Sequence, residues 1–153
     1  MKRLLTIFAL LVAVAVEVDA QSIRLGDRIP ELQFDKDYGL ESKEYVCLTF
    51  IHTESAPCLT AIEGLTNVVS SHTATIELVF INGIKDGTME DISHLTAGVD
   101  HTLIYDIDSR IFKAFGIEYV PYTIVYSSKR KRIEWFGPAR QLTAQTLERV
   151  INK

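Results

Sequence analysis

The stretch Ser55-Ala56-Pro57-Cys58 has the spacing of a C-x-x-C redox motif, with a hydroxyl in the position of the first sulfur. A C-x-x-C pair cycles between dithiol and disulfide through a mixed disulfide, which forms when a thiolate attacks a sulfur of the substrate. Serine cannot form that bond, so the sequence predicts that the two-thiol cycle is absent. Cys58 remains the candidate nucleophile, and Ser55 is a candidate helix cap that can hydrogen-bond the Cys58 thiolate.

The surrounding residues predict that this stretch lies where a strand ends and a helix begins. An apolar run, YVCLTFI, precedes it, and Ser55 followed by Pro57 is typical of a helix start. In the first helical turn, free backbone N–H groups and the helix dipole stabilise a thiolate. Cys47 lies inside the apolar run and is predicted to be a small buried hydrophobe. Because roughly 25 Å of extended chain separates it from Ser55, we expect no disulfide between the two cysteines.

The order of elements along the chain predicts an α/β fold. Strands are predicted near Glu44–Ile51, in 74–83, and in the runs HTLIYD, PYTIVYS and RIEWFG. Helices are predicted at Pro57–Ser70, Gly87–Thr96, Ser109–Phe115 and Thr143–Asn152. This order indicates a central mixed β-sheet with helices on both faces. The first two strands should be parallel, and the last two should form an antiparallel hairpin.

Residues 1–20 have the pattern of a signal peptide. Lys2 and Arg3 precede an apolar run, and Val18-Asp19-Ala20 offers small residues for cleavage before Gln21. The apolar run is too short to span a bilayer comfortably. We therefore expect one domain, 21–153, which is monomeric, has no stable membrane insertion after cleavage, and is periplasmic or secreted. The net charge of −4 argues against nucleic acid as a partner.

Three stretches, in order, resemble a known family. Residues 50–58 align with the pattern F-W-A-x-W-C-x-P-C, 26–32 echo G-x-x-x-P-x-F-x-L, and 116–123 follow G-V-x-x-x-P-T. On these motifs the chain resembles the exported TlpA/ResA-type thiol–disulfide oxidoreductases of the thioredoxin-like superfamily, over nearly the whole of 21–153. The resemblance implies a thioredoxin-like fold and partners that are protein or peptide thiols.

The resemblance also assigns roles around Pro121. It implies that Pro121 is a cis-proline facing the active-site helix, and that the backbone of Val120 pairs with an extended substrate peptide. The sequence departs from the family at Ser55, and at Ile51 and Glu54, which replace two tryptophans. The Glu54 carboxylate would tend to raise the pKa of a nearby thiol.

Several functions remain open from the sequence. Cys58 can act as a monothiol that forms one mixed disulfide or a sulfenic acid. A peptide- or partner-binding module without catalysis is the alternative, and a third is a thiol peroxidase, since Ser55-x-x-Cys58 loosely echoes the T-x-x-C of peroxiredoxins. Cys58 can also be only a packed residue. No cofactor motif is present, and His72, His94 and His101 lack metal-ligand spacing, so we expect no zinc site.

Overall fold

The computed structural model describes residues 22–34, 36–83 and 91–153. The predicted signal peptide, 1–20, therefore lies outside the described residues. The strands are β1 (Tyr45–Ile51), β2 (Ile76–Gly83), β3 (His101–Asp106), β4 (Tyr122–Ser127) and β5 (Arg132–Pro138). The α-helices are α1 (Ala56–Val69), α2 (Arg110–Ala114) and α3 (Ala144–Ile151).

The five strands form one mixed sheet in the order β3-β2-β1-β4-β5. β1 pairs in parallel with β2, and β2 pairs in parallel with β3. β4 runs antiparallel to both β1 and β5. The predicted mixed sheet, with a parallel first crossover and an antiparallel final hairpin, is confirmed.

Both faces of the sheet are covered, so β1 is buried along its whole length. Alternate residues of β1 point to opposite faces. Cys47 and Ile51 belong to the core that α1 and α3 cover, whereas Leu48 and Phe50 belong to the core that α2 and the N-terminal segment cover. Burial on both faces explains why β1 reads as a continuous apolar run instead of an alternating one.

The predicted helix at Gly87–Thr96 lies partly outside the described residues, which resume at Asp91. Over the described part, 91–96, the prediction of an α-helix is wrong. From Asp91 to Thr96 the regular structure is a 3₁₀ helix, Ser93–Leu95. The Asp91 carboxylate accepts a hydrogen bond from the backbone N–H of Ser93 at 2.8 Å. Aspartate side chains that bind the backbone two residues later stabilise turns in competition with α-helix.

This topology places the predicted site at the carboxyl ends of the central strands. The short connection 52–55 links β1 to α1, and the loop before β4 comes to the same end because β4 is antiparallel to β1. Among the helices that the structure describes, none is long and apolar enough to cross a membrane.

Candidate functional site at the start of helix α1

Ser55 occupies the N-cap position of α1, with extended backbone angles of φ −92° and ψ 117°. The predicted side-chain cap is wrong, because the Ser55 hydroxyl makes no capping hydrogen bond. An N-cap side chain bonds to the second or third helical N–H. The second helical residue is Pro57, which has no N–H to donate, and the Ser55 side chain makes no capping bond to the remaining N–H, that of Cys58. The Ser55 carbonyl oxygen instead accepts the first helical bond, from Leu59 N at 3.1 Å.

Cys58 lies inside the core and not at the surface. Its side chain has no exposed area and belongs to the core cluster that includes Ile62 and Leu65. The backbone N–H of His52 donates to the Cys58 sulfur at 3.4 Å. A buried thiol in apolar surroundings is a structural cysteine in most proteins, since reagents and substrates cannot reach it.

Cys47 is also fully buried, on β1. Burial raises the pKa of the Cys47 thiol to about 12. Both cysteines are free, as the sequence predicts. Cys47 is thus a protonated packing residue at neutral pH and takes no part in the candidate site.

His52 contacts the Cys58 sulfur through its backbone, while its ring is held elsewhere. The ring Nδ1 lies 2.7 Å from the carbonyl oxygen of Gly83, so Nδ1 carries the proton and donates it. The ring also stacks on Phe112, with centroids 5.6 Å apart. A Cβ at position 83 would lie 2.5 Å from His52 Cε1, so only glycine permits this approach. These contacts fix the His52 side chain against the carboxyl end of β2.

A second polar link, which sequence reasoning missed, joins the same two strand ends. Thr53 N donates to Asn82 Oδ1 at 3.3 Å, and Asn82 Nδ2 donates to Thr53 Oγ1 at 3.3 Å. Both residues are buried, and each provides hydrogen-bond partners for polar groups of the other. The sequence signal was a polar residue at the carboxyl end of each of two neighbouring strands.

The peptide bond between Val120 and Pro121 is cis, as the resemblance implied. The Pro121 carbonyl oxygen accepts a hydrogen bond from Ala139 N at 3.2 Å. Val120 is partly buried and packs against both core clusters. The loop before β4 is therefore fixed between the core and the segment that follows β5.

Val120, Pro121 and Pro57 line one apolar groove with a volume of about 980 Å³. The structure thus brings Val120 and Pro121 to the first turn of α1, but neither Ser55 nor Cys58 lines the groove. One wall is a face of α1, the second is the loop before β4, and the third is the chain between β5 and α3. The remaining lining residues are Thr60, Ala61, Gly64, Leu65, Val68, Tyr119, Pro138, Ala139, Arg140, Leu142, Thr143 and Ala144.

The groove was missed from the sequence, although α1 carried a signal for it. Ala61, Gly64 and Val68 are spaced as one helical face that is at least partly exposed, whereas the apolar residues Ile62, Leu65 and Val69 are buried in the core. A helix whose apolar surface is wider than its core contact has a part left for another partner. Among the described residues, no group of three or more His, Cys, Asp or Glu could hold a metal ion.

We expect Cys58 to resist alkylation in the folded protein. Iodoacetamide should label Cys58 only after unfolding, because its sulfur has no exposed area. Mass spectrometry of the protein with and without denaturant, across a pH series, measures this. Cys47, equally buried, is the internal control. Rapid labelling of Cys58 alone in the native protein would contradict the prediction and indicate a reachable thiol.

Solved structures with this fold include thiol–disulfide oxidoreductases. The chain is similar to a secreted Mycobacterium tuberculosis disulfide oxidoreductase homologous to E. coli DsbE, at 19% identity, with a TM-score of 0.56 over 72% of this chain and 82% of that one. It is also similar to a putative thiol:disulfide interchange protein DsbE from Chlorobium tepidum, at 18% identity, with a TM-score of 0.62 over 86% and 97%. A thioredoxin-like protein in the oxidized form gives a TM-score of 0.67 at 18% identity over 85% and 98%. At these identities the likeness confirms the thioredoxin-like fold.

The family is shown by sequence. No curated protein matches the chain. The sequence profile of one family, described as type-F conjugative transfer system pilin assembly protein, matches residues 60–150, which is more than half of the chain. The chain therefore belongs to the family of type-F conjugative transfer system pilin assembly proteins, built on a thioredoxin-like fold.

Proposed function

We propose that this protein is an extracytoplasmic factor in pilin assembly for type-F conjugation. It holds an apolar segment of a partner polypeptide in the groove beside Pro121, and it does so without thiol catalysis. One observation carries the proposal. The apolar groove is open at the meeting point of α1 and the Val120–Pro121 loop, whereas the single cysteine at the helix start is fully buried.

The extent of the family match supports a role for the groove. The matched residues, 60–150, contain every residue that lines the groove except Pro57. They do not include Ser55 or Cys58. The part of this chain that matches the family thus contains most of the residues that line the groove, whereas the S-x-x-C stretch lies outside the match.

Binding in this groove follows from its composition. Burial of apolar surface contributes about 25 cal/mol per Å², and Pro57, Ala61 and Val68, which are exposed or partly exposed, provide such surface in the lining. Tyr119 is 53% exposed at the rim, where it packs edge-on against Tyr122 with ring centroids 5.2 Å apart. Partly exposed tyrosines held by neighbours are common anchors of protein interfaces. The resemblance to oxidoreductases further implies that the backbone of Val120 pairs with an extended partner strand.

The chemistry at the helix start supports binding over catalysis. Ser55 provides no thiol, so a mixed disulfide at Cys58 would have no neighbouring sulfur to resolve it. The leader-like residues 1–20 support an extracytoplasmic location, where pilin assembly and the proposed partners would lie.

A monothiol function is the second candidate, and one contact favours it. The His52 backbone N–H donates to the Cys58 sulfur at 3.4 Å, and such a donor would stabilise a thiolate. Opening of the 52–55 connection would be needed before a partner thiol or disulfide could reach that sulfur.

The two candidates differ in what Cys58 does for pilin assembly. We expect Cys58→Ala to restore pilus formation and plasmid transfer as well as the wild type does, in donor cells that lack the chromosomal or plasmid copy of this gene. Both proteins are compared at equal amounts, verified by immunoblot, and Cys47→Ala serves as the matched buried-cysteine control. Loss of transfer with Cys58→Ala but not with Cys47→Ala would overturn the binding proposal in favour of a monothiol.

A further inference from the structure

We infer that the groove selects a partner segment that carries an acidic side chain among apolar residues, and that Arg140 recognises its carboxylate. This inference rests on the proposed binding function and adds the class of segment that is bound. The proposed occupant is an internal segment of a partner protein, with one Asp or Glu beside apolar residues.

The charge of the groove differs from that of the whole protein. The chain has a net charge of −4 with 20 acidic residues. None of the residues that line the groove is acidic, and Arg140 is the charged one among them. A carboxylate brought to this surface would meet a cation and no lining carboxylate, so charge complementarity favours an acidic partner residue.

Arg140 is a free cation at the rim. Its side chain is exposed, and within 22–34, 36–83 and 91–153 it takes part in no ion pair. By contrast, Arg130 in the turn before β5 and Lys153 at the C-terminus both pair with Glu134. A guanidinium can bind a carboxylate through two parallel hydrogen bonds, which gives directional recognition.

The backbone fixes Arg140 beside the cis-proline loop. Arg140 lies in the 3₁₀ helix Ala139–Gln141, whose first N–H donates to the Pro121 carbonyl oxygen at 3.2 Å. Leu142 N then closes the turn by donating to Ala139 O at 3.2 Å. These bonds fix the backbone of Arg140 relative to the apolar wall, so its side chain starts from a defined place at the groove.

The start of α3 lies at the same end of the groove. Thr143 and Ala144 line it, and the Thr143 hydroxyl accepts a hydrogen bond from Thr146 N at 3.2 Å. The N-terminal end of a helix carries a partial positive charge. A carboxylate at Arg140 would therefore be favoured by this end of α3 as well.

The groove suits a segment that continues beyond it. Tyr119 lines the groove and also an adjoining pocket of about 240 Å³, which Ile117, Glu118 and Tyr122 border, so the acidic side chain of the partner belongs at the Arg140 end and not over this pocket. A bound chain can pass Tyr119 and extend over this second pocket. For that reason we assign an internal segment and not a chain terminus, and the acidic group is a side chain.

The test uses capped peptides, which have no terminal charges. A fluorescent ten-residue peptide of Leu, Val and Ser with one central Glu is compared with its Gln twin, and binding to the mature protein is measured by anisotropy. We expect the Glu peptide to bind about fivefold tighter, as for a partly exposed ion pair. The preference should disappear with Arg140→Gln, survive in part with Arg140→Lys, and weaken as salt is raised.

The control variant is Arg149→Gln, on an exposed position of α3 outside the groove. It removes the same charge and should keep the fivefold preference. Equal binding of the Glu and Gln peptides by the wild type would overturn the role of Arg140 and leave the proposed function standing. Binding of neither peptide would overturn both the role of Arg140 and the proposed function. A third peptide has the same sequence with a free C-terminal carboxylate, and tighter binding of this peptide would show that the groove takes a chain terminus and not an internal segment.

Discussion

Gly64→Trp is expected to reduce plasmid transfer by at least about tenfold, the loss that results when a groove loses its central contact. Gly64 lies in the middle of α1 on the face that lines the groove. A Cβ built at this position meets no atom within 4 Å. An indole there would project into the groove and occupy the space that the partner segment needs.

The same substitution should leave the protein folded. Glycine in a helix interior is less favourable than alanine by about 1 kcal/mol, and tryptophan is intermediate. Because the new side chain enters open space and not the core, we expect the free energy of unfolding to stay within about 1 kcal/mol of the wild type. Urea unfolding followed by circular dichroism measures this on the same preparation that is used for the transfer assay.

Two matched variants separate blockage from other effects. Gly64→Ala should stabilise α1 by about 0.5–1 kcal/mol and lower transfer less than Gly64→Trp does, because a methyl group fills little of the groove. Asn67→Trp places the same indole on an exposed position of α1 outside the groove, and transfer should be normal. Normal transfer with Gly64→Trp in a stable protein would show that the groove is not the functional surface.

Gly64 also shows where sequence reasoning stops. In the sequence, a glycine inside a helical pattern predicts only a local loss of helix stability. Its meaning depends on the face of α1 that α3 and the loop before β4 leave uncovered, which is a property of long-range packing. The walls of the groove come from segments up to 87 residues apart, from Pro57 to Ala144. No local pattern contains that juxtaposition.

Other parts of the fold were predictable because their signals are local. The apolar run of β1, the β-branched run of β2 and the hairpin of β4 and β5 each specify a strand by composition. The cis bond at Pro121 followed from the resemblance and not from the residues alone. The side-chain cap at Ser55 was predicted from the residue type alone, whereas Pro57 removes one of the two N–H groups to which it could bond and the hydroxyl makes no capping bond to the other.

The failed cap matters for the last expected result, which concerns Ser55→Cys. Because the Ser55 hydroxyl makes no capping bond, its replacement should cost less than about 0.5 kcal/mol of stability. The spacing to Cys58 is that of C-x-x-C motifs. We expect an intramolecular disulfide to form between positions 55 and 58 on mild oxidation, detected by mass spectrometry and by loss of thiol titre.

We also expect the Ser55→Cys variant to catalyse disulfide reduction, a reaction that we expect the wild type not to catalyse. Ser55 is partly exposed and Cys58 is fully buried, so the introduced thiol can attack a substrate disulfide and Cys58 can resolve the mixed disulfide from below. We expect dithiothreitol-coupled reduction of insulin at a rate at least about tenfold above the wild type, which has no resolving pair. Ser55→Ala and the double variant Ser55→Cys/Cys58→Ala should both stay at the wild-type level.

The pH dependence of this gained activity tests the remaining departure from the oxidoreductase pattern. Glu54 is exposed immediately before position 55, and its negative charge disfavours a thiolate next to it. Adding Glu54→Ala should therefore shift the rate–pH profile of the Ser55→Cys protein to lower pH.

Two outcomes would contradict the prediction for Ser55→Cys. If the disulfide forms but insulin reduction stays at the wild-type level, the groove beside Pro121 does not present substrate disulfides to position 55. If neither appears, the first turn of α1 does not hold the two positions as a dithiol pair requires, and the loss of one sulfur is not what separates this chain from its oxidoreductase neighbours.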